Sequence, residues 1–317
     1  MRKPPSVAEF LRYPATAGTA LLALGLTLAW WGKVDMSGVV DSALITRGEV
    51  WRLLTSTLLH ASVLHLAFNL YWLWVFGSLV EERFGTFALV GIMVFLGVGS
   101  SAAEFAILYG GVGLSGIGYG LFGMLWVLSR RDERFADAVD QKTVQLFVLW
   151  FFLCIVLTVT GAMAIANIAH GVGALLGALL AWAISERGRK RTLAWTSASC
   201  ALVVLFGLAM FARPYINLDS GRGEEEEYLG YESLQKDQNQ EALRWYLDAT
   251  RLAPQNASNW FNLGIAYHKL DNLPLAKDAY GRAAQLEPSN AKYSEVVTQF
   301  ESVPAPSKRE TEPKQPS

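Results

Sequence analysis

The stretch "GVGLSGIGYGLFGM", Gly111 to Met124, decides the fold because it sets one serine among closely spaced glycines in an apolar segment. Gly116 and Gly120 form a GxxxG pair, a spacing that lets two membrane helices approach closely. The apolar segment runs only from Ser115 to Ser129, and 15 residues reach about 22 Å, less than the hydrocarbon core of about 30 Å. The sequence therefore predicts a helix that starts at Ser115 inside the bilayer. Its unpaired first-turn N–H groups then require surrounding protein or a water-filled cavity.

The composition indicates a membrane protein. Hydrophobic residues make up 52% of the 317 residues and charged residues 17%, with a net charge of −1. A net charge this close to zero creates no overall positive potential, so no nucleic-acid partner is expected. Only Cys154 and Cys200 are present, both in apolar runs, so neither a disulfide framework nor a cysteine metal pair is predicted. Seven apolar runs predict membrane spans near residues 15–31, 63–80, 86–108, 115–129, 144–160, 165–184 and 193–211.

The loop charges predict the orientation. Twelve Lys and Arg residues fall in loops on one side and three, Lys33, Arg47 and Arg52, on the other. Because basic loops stay in the cytoplasm, we expect the N-terminus inside and, after seven spans, the C-terminal tail outside. No small-residue cleavage site follows "LGLTLAWWG", so the first span is expected to be retained.

Polar residues from three predicted helices lie at one depth. His170 is about six residues from the outer end of the sixth span, and Asn69 is equally far into the second, so both lie roughly 9 Å deep, level with Ser115. His65 is one turn from Asn69 on the same helical face. Singly, such residues often only bridge helices, but an ionisable side chain in a bilayer is costly. Polar residues from three helices at one depth predict a functional site.

The residue types at this depth indicate acyl-transfer chemistry. A serine beside a histidine supplies a nucleophile and a general base, and packing Gly173 and Gly177 against the fourth span would bring His170 to Ser115. No Asp or Glu lies between Asp140 and Glu186, so we expect a dyad.

Further residues are expected to support this pair. Tyr119, one turn after Ser115, is expected to hold the imidazole by stacking. The candidate oxyanion donors are Asn69, His65 and the N–H of Ser115. A metal site is disfavoured, because His60 and His65 are five apart, with no HExxH motif and no nearby carboxylate. We predict neither a metal nor a cofactor.

These motifs resemble those of rhomboid intramembrane serine proteases. The family's GxSG appears as "GLSG" at Gly113–Gly116, and its AHxxGxxxG as "AHGVGALLG" at Ala169–Gly177. Its HxxxxHxxxN pattern appears as His60, His65 and Asn69, and its external Trp-Arg pair as Trp51-Arg52. The resemblance covers about residues 15–186.

The resemblance implies a function. It gives Ser115 as nucleophile, His170 as base, and His65 with Asn69 as oxyanion donors. Gly113, Gly116, Gly173 and Tyr119 would support the site, and His60 would be accessory. The expected substrates are single-span membrane proteins, cut near the outer leaflet of the lipid bilayer. The expected location is a bacterial inner membrane.

The tail after Arg213 is polar and repeats with a period of 34. Leu229, Gly230, Ala242, Tyr246, Ala249 and Pro254 align with Leu263, Gly264, Ala276, Tyr280, Ala283 and Pro288. This resembles the tetratricopeptide pattern of helix pairs. We predict two repeats with a capping helix over residues 223–301, able to bind a protein or peptide, and a disordered segment at 302–317.

The predicted fold is all-α. A cytoplasmic segment at 1–14 precedes a rhomboid-like six-helix membrane domain at 15–191, a seventh transmembrane helix at 192–213 and the repeat domain. The main alternative function is a non-catalytic rhomboid-like scaffold that presents the repeats. A carrier or channel is less favoured, since Glu104 is the only carboxylate within the predicted spans.

Overall fold

The computed structural model describes residues 4–40, 44–108, 110–218 and 222–302. All regular secondary structure in these ranges is helical, which confirms the predicted all-α class. The chain divides into two compact units, Met1–Ser220 and Gly221–Ser317.

The first unit contains the predicted membrane helices. They are α1 Pro14–Trp31, α2 Val63–Phe84, α3 Thr86–Ile107, α4 Ser115–Arg131, α5 Gln141–Val159, α6 Asn167–Ser185 and α7 Gly188–Ile216. All except α4 are long and apolar enough to cross a membrane, and α4 has 17 residues. Single π-helical turns interrupt α2 at Leu73–Gly77 and α7 at Leu208–Ala212.

Short helices form much of the connection between α1 and α2. They span Ser37–Val40, Ile45–Arg47, Arg52–Thr55 and Ser56–Leu58. Within this connection Arg52 is buried and bonds to Glu49 and to the carbonyl of Ser37, while Trp51 is half exposed.

Several helix ends differ from the sequence prediction. Helix α2 continues to Phe84 rather than Val80, and α7 begins at Gly188 rather than near Leu193. An apolar run marks the lipid-facing part of a helix, whereas backbone hydrogen bonding continues into the charged ends. Helix α6 begins at Asn167, so His170 lies in its first turn instead of about six residues inside a span.

A buried carboxylate joins the first three helices. Glu81, in α2, accepts hydrogen bonds from the backbone N–H groups of Ala15 and Thr16, each at 2.9 Å. It also accepts the hydroxyls of Thr16 at 2.7 Å and Thr86 at 2.8 Å. The carboxylate thus satisfies first-turn donors of α1, at the helix end that the dipole makes positive.

Helices α4 and α6 are in close backbone contact at their glycine faces. A Cβ added to Gly173 would lie 2.2 Å from the carbonyl oxygen of Gly116, and one added to Gly177 would lie 1.8 Å from that of Gly120. The two GxxxG pairs therefore pack against each other as the sequence predicts.

The second unit is a stack of helices. It comprises α8 Glu224–Gln235, α9 Asn239–Leu252, α10 Ala257–Lys269, α11 Leu273–Leu286 and α12 Ala291–Ser302. The 34-residue period is visible in its packing, because Gly230 faces the ring of Tyr246 just as Gly264 faces that of Tyr280. The expected disordered tail lies outside the described residues, except for Ser302.

Candidate functional site

A serine and a histidine meet at the contact between α4 and α6. The Oγ of Ser115, the first residue of α4, lies 2.8 Å from the Nε2 of His170. His170 is only 3% exposed. This distance is a normal hydrogen bond between a hydroxyl and an imidazole nitrogen. This short distance is possible because the two helix backbones touch at glycines. Gly116 directly follows Ser115, and Gly173 lies about one turn after His170.

The imidazole is stacked on a tyrosine. The rings of His170 and Tyr119 are 4.6 Å apart and inclined by 21°. Tyr119 is itself fixed, since its hydroxyl donates to the carbonyl of Phe147 at 3.1 Å and the Phe147 ring packs edge-on against it at 5.2 Å. The stacking leaves Nε2 directed at Ser115.

The other ring nitrogen of His170 has no acidic partner among the residues that the structure describes. Its Nδ1 is buried and makes no hydrogen bond within the part of the chain that the structure describes. Among the described residues, Tyr119 stacks on the face of the His170 imidazole and no group hydrogen-bonds to the Nδ1 at its edge.

The backbone that leads into α4 is bound by His60. The N–H of Leu114, one residue before Ser115, donates to the His60 Nε2 at 3.3 Å. His60 is fully buried; its Nδ1 lies 3.4 Å from the hydroxyl of Thr27, and its carbonyl accepts the indole N–H of Trp31. His60 therefore supports the serine through its backbone and does not touch the Ser115–His170 pair.

Gly113 brings the predicted oxyanion donors to the same place. It adopts φ +109°, a backbone conformation open to glycine, and a Cβ there would lie 2.6 Å from the Nε2 of His65. The same position is 3.6 Å from the Nδ2 of Asn69, which also donates to the His65 carbonyl at 2.9 Å. Thus both side chains line the turn directly before Ser115.

Sequence reasoning missed the role of Glu104. Its buried carboxylate accepts the N–H of Ala169, in the first turn of α6, at 2.8 Å. It also lines a small cavity shared with Ser115, Ser100 and Gly116. A lone carboxylate in an apolar helix is the sequence signal that was available, because such a group needs buried donors. The carboxylate supports the helix start that carries His170.

Over residues 4–40, 44–108, 110–218 and 222–302, no group of three or more His, Cys, Asp or Glu side chains lies close enough to hold a metal ion. The buried histidines instead bond to Ser115 and to backbone.

Comparisons with known proteins match both parts of this chain to protein families. The rhomboid domain model matches residues 47–187. Two tetratricopeptide repeat models match residues 230–271 and 257–290. The chain therefore carries a rhomboid domain followed by tetratricopeptide repeats, which confirms both resemblances read from the sequence.

Similar curated proteins bear the name rhomboid protease GlpG. The protein of Enterobacter sp. (strain 638) is 36% identical over 151 residues, which cover 45% of this chain and 52% of the relative. That of Salmonella newport (strain SL254) is 32% identical over 155 residues, covering 47% and 53%. The chain thus spans about half the length of the curated relatives that it matches.

Proposed function

We propose that this protein is an intramembrane serine endopeptidase that cuts membrane-anchored proteins through a Ser115–His170 dyad. The observation that carries the proposal is the 2.8 Å contact between Ser115 Oγ and His170 Nε2, which is partly buried within a bundle of membrane helices. The relatives named rhomboid protease support a protease activity.

In the proposed reaction His170 acts as the base. Neutral imidazole accepts a proton at Nε2 while its own proton stays on Nδ1. Ser115 Oγ attacks the peptide carbonyl as its proton moves to Nε2, and the resulting imidazolium then protonates the leaving amine. Water hydrolyses the acyl-enzyme by the same route in reverse. The stacked Tyr119 ring keeps the imidazole oriented during both proton transfers.

The oxyanion needs donors beside the nucleophile. Asn69 Nδ2 and His65 Nε2 lie against the Gly113 turn, and the N–H of Ser115 belongs to a first helical turn that has no intrahelical acceptor. Donors held in place in a site of low dielectric stabilise the negative charge that develops on the carbonyl oxygen. We assign this role to the three groups together.

The depth of the site restricts the form of the substrate. A peptide bond in a regular helix has its carbonyl hydrogen-bonded and shielded by side chains, so Ser115 cannot attack it. The substrate segment must unwind locally near the outer leaflet. We therefore expect single-span proteins with helix-weakening Gly or Pro near the cut to be preferred.

Mutation of the dyad tests the proposal. Ser115→Ala and His170→Ala should each abolish cleavage of a single-span substrate and labelling by a serine-reactive phosphonate, with unchanged thermal stability. The double variant should be no slower than either single variant, because the two residues act as a unit. Substantial cleavage by Ser115→Ala would refute the protease. Absence of labelling in the wild type would favour the scaffold alternative, in which the membrane unit only presents the repeats.

The proposed orientation is that of a bacterial inner-membrane protein with a cytoplasmic N-terminus and external repeats. Lys277 is exposed in α11, so Lys277→Cys in a background with Cys154 and Cys200 replaced by Ala offers a reporter. A membrane-impermeant maleimide should label it in intact spheroplasts. Labelling only after lysis would refute this topology.

A further inference from the structure

The seventh helix contacts the end of α3 through a buried cation. Arg213 is 1% exposed, although it lies in the last turns of an apolar helix. Its guanidinium donates to the carbonyl of Leu108 and its Cζ lies 3.9 Å from the centroid of the Phe105 ring. Burying a guanidinium is costly unless hydrogen bonds and charge compensate it.

A second bond joins the same two segments. The backbone N–H of Leu218 donates to the carbonyl of Ile107 at 2.7 Å. Ile107 is the last residue of α3 and Leu108 follows it, so both acceptors belong to the helix end that lacks intrahelical donors and carries negative partial charge. A cation from the last turn of α7 and an N–H from the residue two positions after that helix therefore bond to the C-terminus of α3.

This helix end is the start of the loop that leads to the nucleophile. The end of this loop next to Ser115 is fixed by the hydrogen bond from the Leu114 N–H to His60. The middle of the loop packs on the start of α6, because a Cβ added at Gly111 would lie 2.6 Å from the Cβ of Ala166. The near end is fixed by Arg213 and Leu218. One turn back from Leu108, Glu104 holds the first turn of α6 through Ala169.

Helix α7 begins at Gly188, directly after the end of the matched rhomboid domain at residue 187, yet this helix and Leu218 just after it contact Leu108 and Ile107 inside that domain. Apolar packing continues along the same interface, where Ala209 joins Phe105 and Ala106 in one buried cluster. Helix α7 is therefore built into the membrane unit.

We propose that Arg213 is a positioning residue for the proposed active site. By completing the end of α3, it fixes the start of the Ser115 loop and makes α7 part of the active unit. This inference rests on the proposed peptidase function. It predicts that loosening this contact lowers the reactivity of Ser115 without removing any group that touches the substrate.

The test compares matched variants in the full-length protein. Arg213→Met removes the guanidinium and keeps an apolar stem, whereas Arg213→Lys keeps a charge that can approach the same carbonyl. Arg191→Met, at an exposed position near the other end of α7, is the control. We expect Arg213→Met to lower kcat and the rate of phosphonate labelling by roughly tenfold, as for loss of a charged hydrogen bond, with KM nearly unchanged. Arg213→Lys should recover part of the loss, and Arg191→Met should match wild type.

A second pair of variants leaves Arg213 intact. The Leu218 side chain is 77% exposed, so Leu218→Ala removes little contact and keeps the N–H, whereas Leu218→Pro removes the donor to Ile107. We expect only Leu218→Pro to slow labelling of Ser115. It should therefore reproduce the Arg213→Met effect in a protein that keeps the buried cation.

Hydrogen–deuterium exchange separates this inference from the peptidase itself. Residues 108–114 should exchange faster in Arg213→Met and Leu218→Pro than in wild type, while α1 and α2 keep their protection. Unchanged exchange in this loop would overturn the proposal. So would wild-type labelling rates in a folded Arg213→Met protein, or a loss of melting temperature and activity that Arg213→Lys does not relieve. An inactive wild type would refute the peptidase and leave the exchange result to decide the role of Arg213.

Discussion

At the scale of single residues, the candidate site is built from side chains that each hold one neighbour in place. Tyr119 orients His170, His60 holds the N–H of Leu114, and Glu104 holds the N–H of Ala169. The backbone beside the Ser115–His170 pair is thus held on both sides. Asn69 differs from these supports, since one of its amide hydrogens goes to the His65 carbonyl and we propose that the other serves the oxyanion.

Asn69→Ala tests the oxyanion assignment. If the amide is one of several donors to the developing charge, its loss should lower kcat by about 10²–10³ while KM changes little. Steady-state kinetics on a peptide substrate would measure both constants, and the melting temperature would report folding. An unchanged kcat would assign the oxyanion to His65 and the backbone alone.

At the scale of the element, the site depends on two helices that touch without side chains between them. The separation of α4 and α6 is set by Gly173 and Gly177 against the carbonyls of Gly116 and Gly120. Only hydrogen at these positions allows that approach, and a wider spacing would draw His170 away from Ser115.

Gly173→Ala should therefore damage both stability and activity. The added methyl group would lie 2.2 Å from a backbone carbonyl oxygen, which cannot move aside alone. Overpacking of this kind costs about 1–3 kcal/mol, and activity should fall further because the dyad separates. Gly118→Ala on α4 is the matched control, since nothing lies within 4 Å of its added Cβ. Thermal unfolding in detergent and phosphonate labelling would measure the two effects. Equal behaviour of the two variants would contradict the role given to the glycine contact.

At the scale of the whole molecule, one chain joins a rhomboid domain to tetratricopeptide repeats. The membrane unit holds every residue of the proposed chemistry, whereas a repeat stack is suited to binding a protein or peptide. Covalent linkage raises the effective concentration of a bound substrate near the membrane unit. We propose that the repeats recruit a substrate or an adaptor.

Removal of residues 221–317 separates recruitment from chemistry. This truncation keeps Arg213 and Leu218, so a short transmembrane peptide should be cut at the wild-type rate. Full-length membrane substrates should be cut several-fold more slowly, because they lose the added effective concentration. Quantitative proteomics of cells that express either form would compare the released fragments. Equal rates for peptide and full-length substrates would refute the recruiting role.

The sequence by itself determined the helical class, the repeats and the two residues, Ser115 and His170, that meet at the candidate site. The length of the apolar runs, the GxxxG spacing and the 34-residue period can each be recognised from the order of residues along the chain. Ser115 and His170 were identifiable because polar groups in apolar helices are rare and their depth can be counted from the helix ends. The roles of these residues in catalysis stay predictions until activity is measured.

Only the tertiary structure decided how the site is supported. Glu104 and Ala169 are 65 positions apart, and Arg213 and Leu108 are 105 apart. Nothing in the local pattern pairs them, because buried polar groups find partners wherever packing brings a donor or acceptor within reach. The sequence marked Glu104 as an unusual carboxylate and Arg213 as the end of an apolar run. Their partners are backbone groups, which every residue carries, so only the folded arrangement of α3, α6 and α7 selects among them.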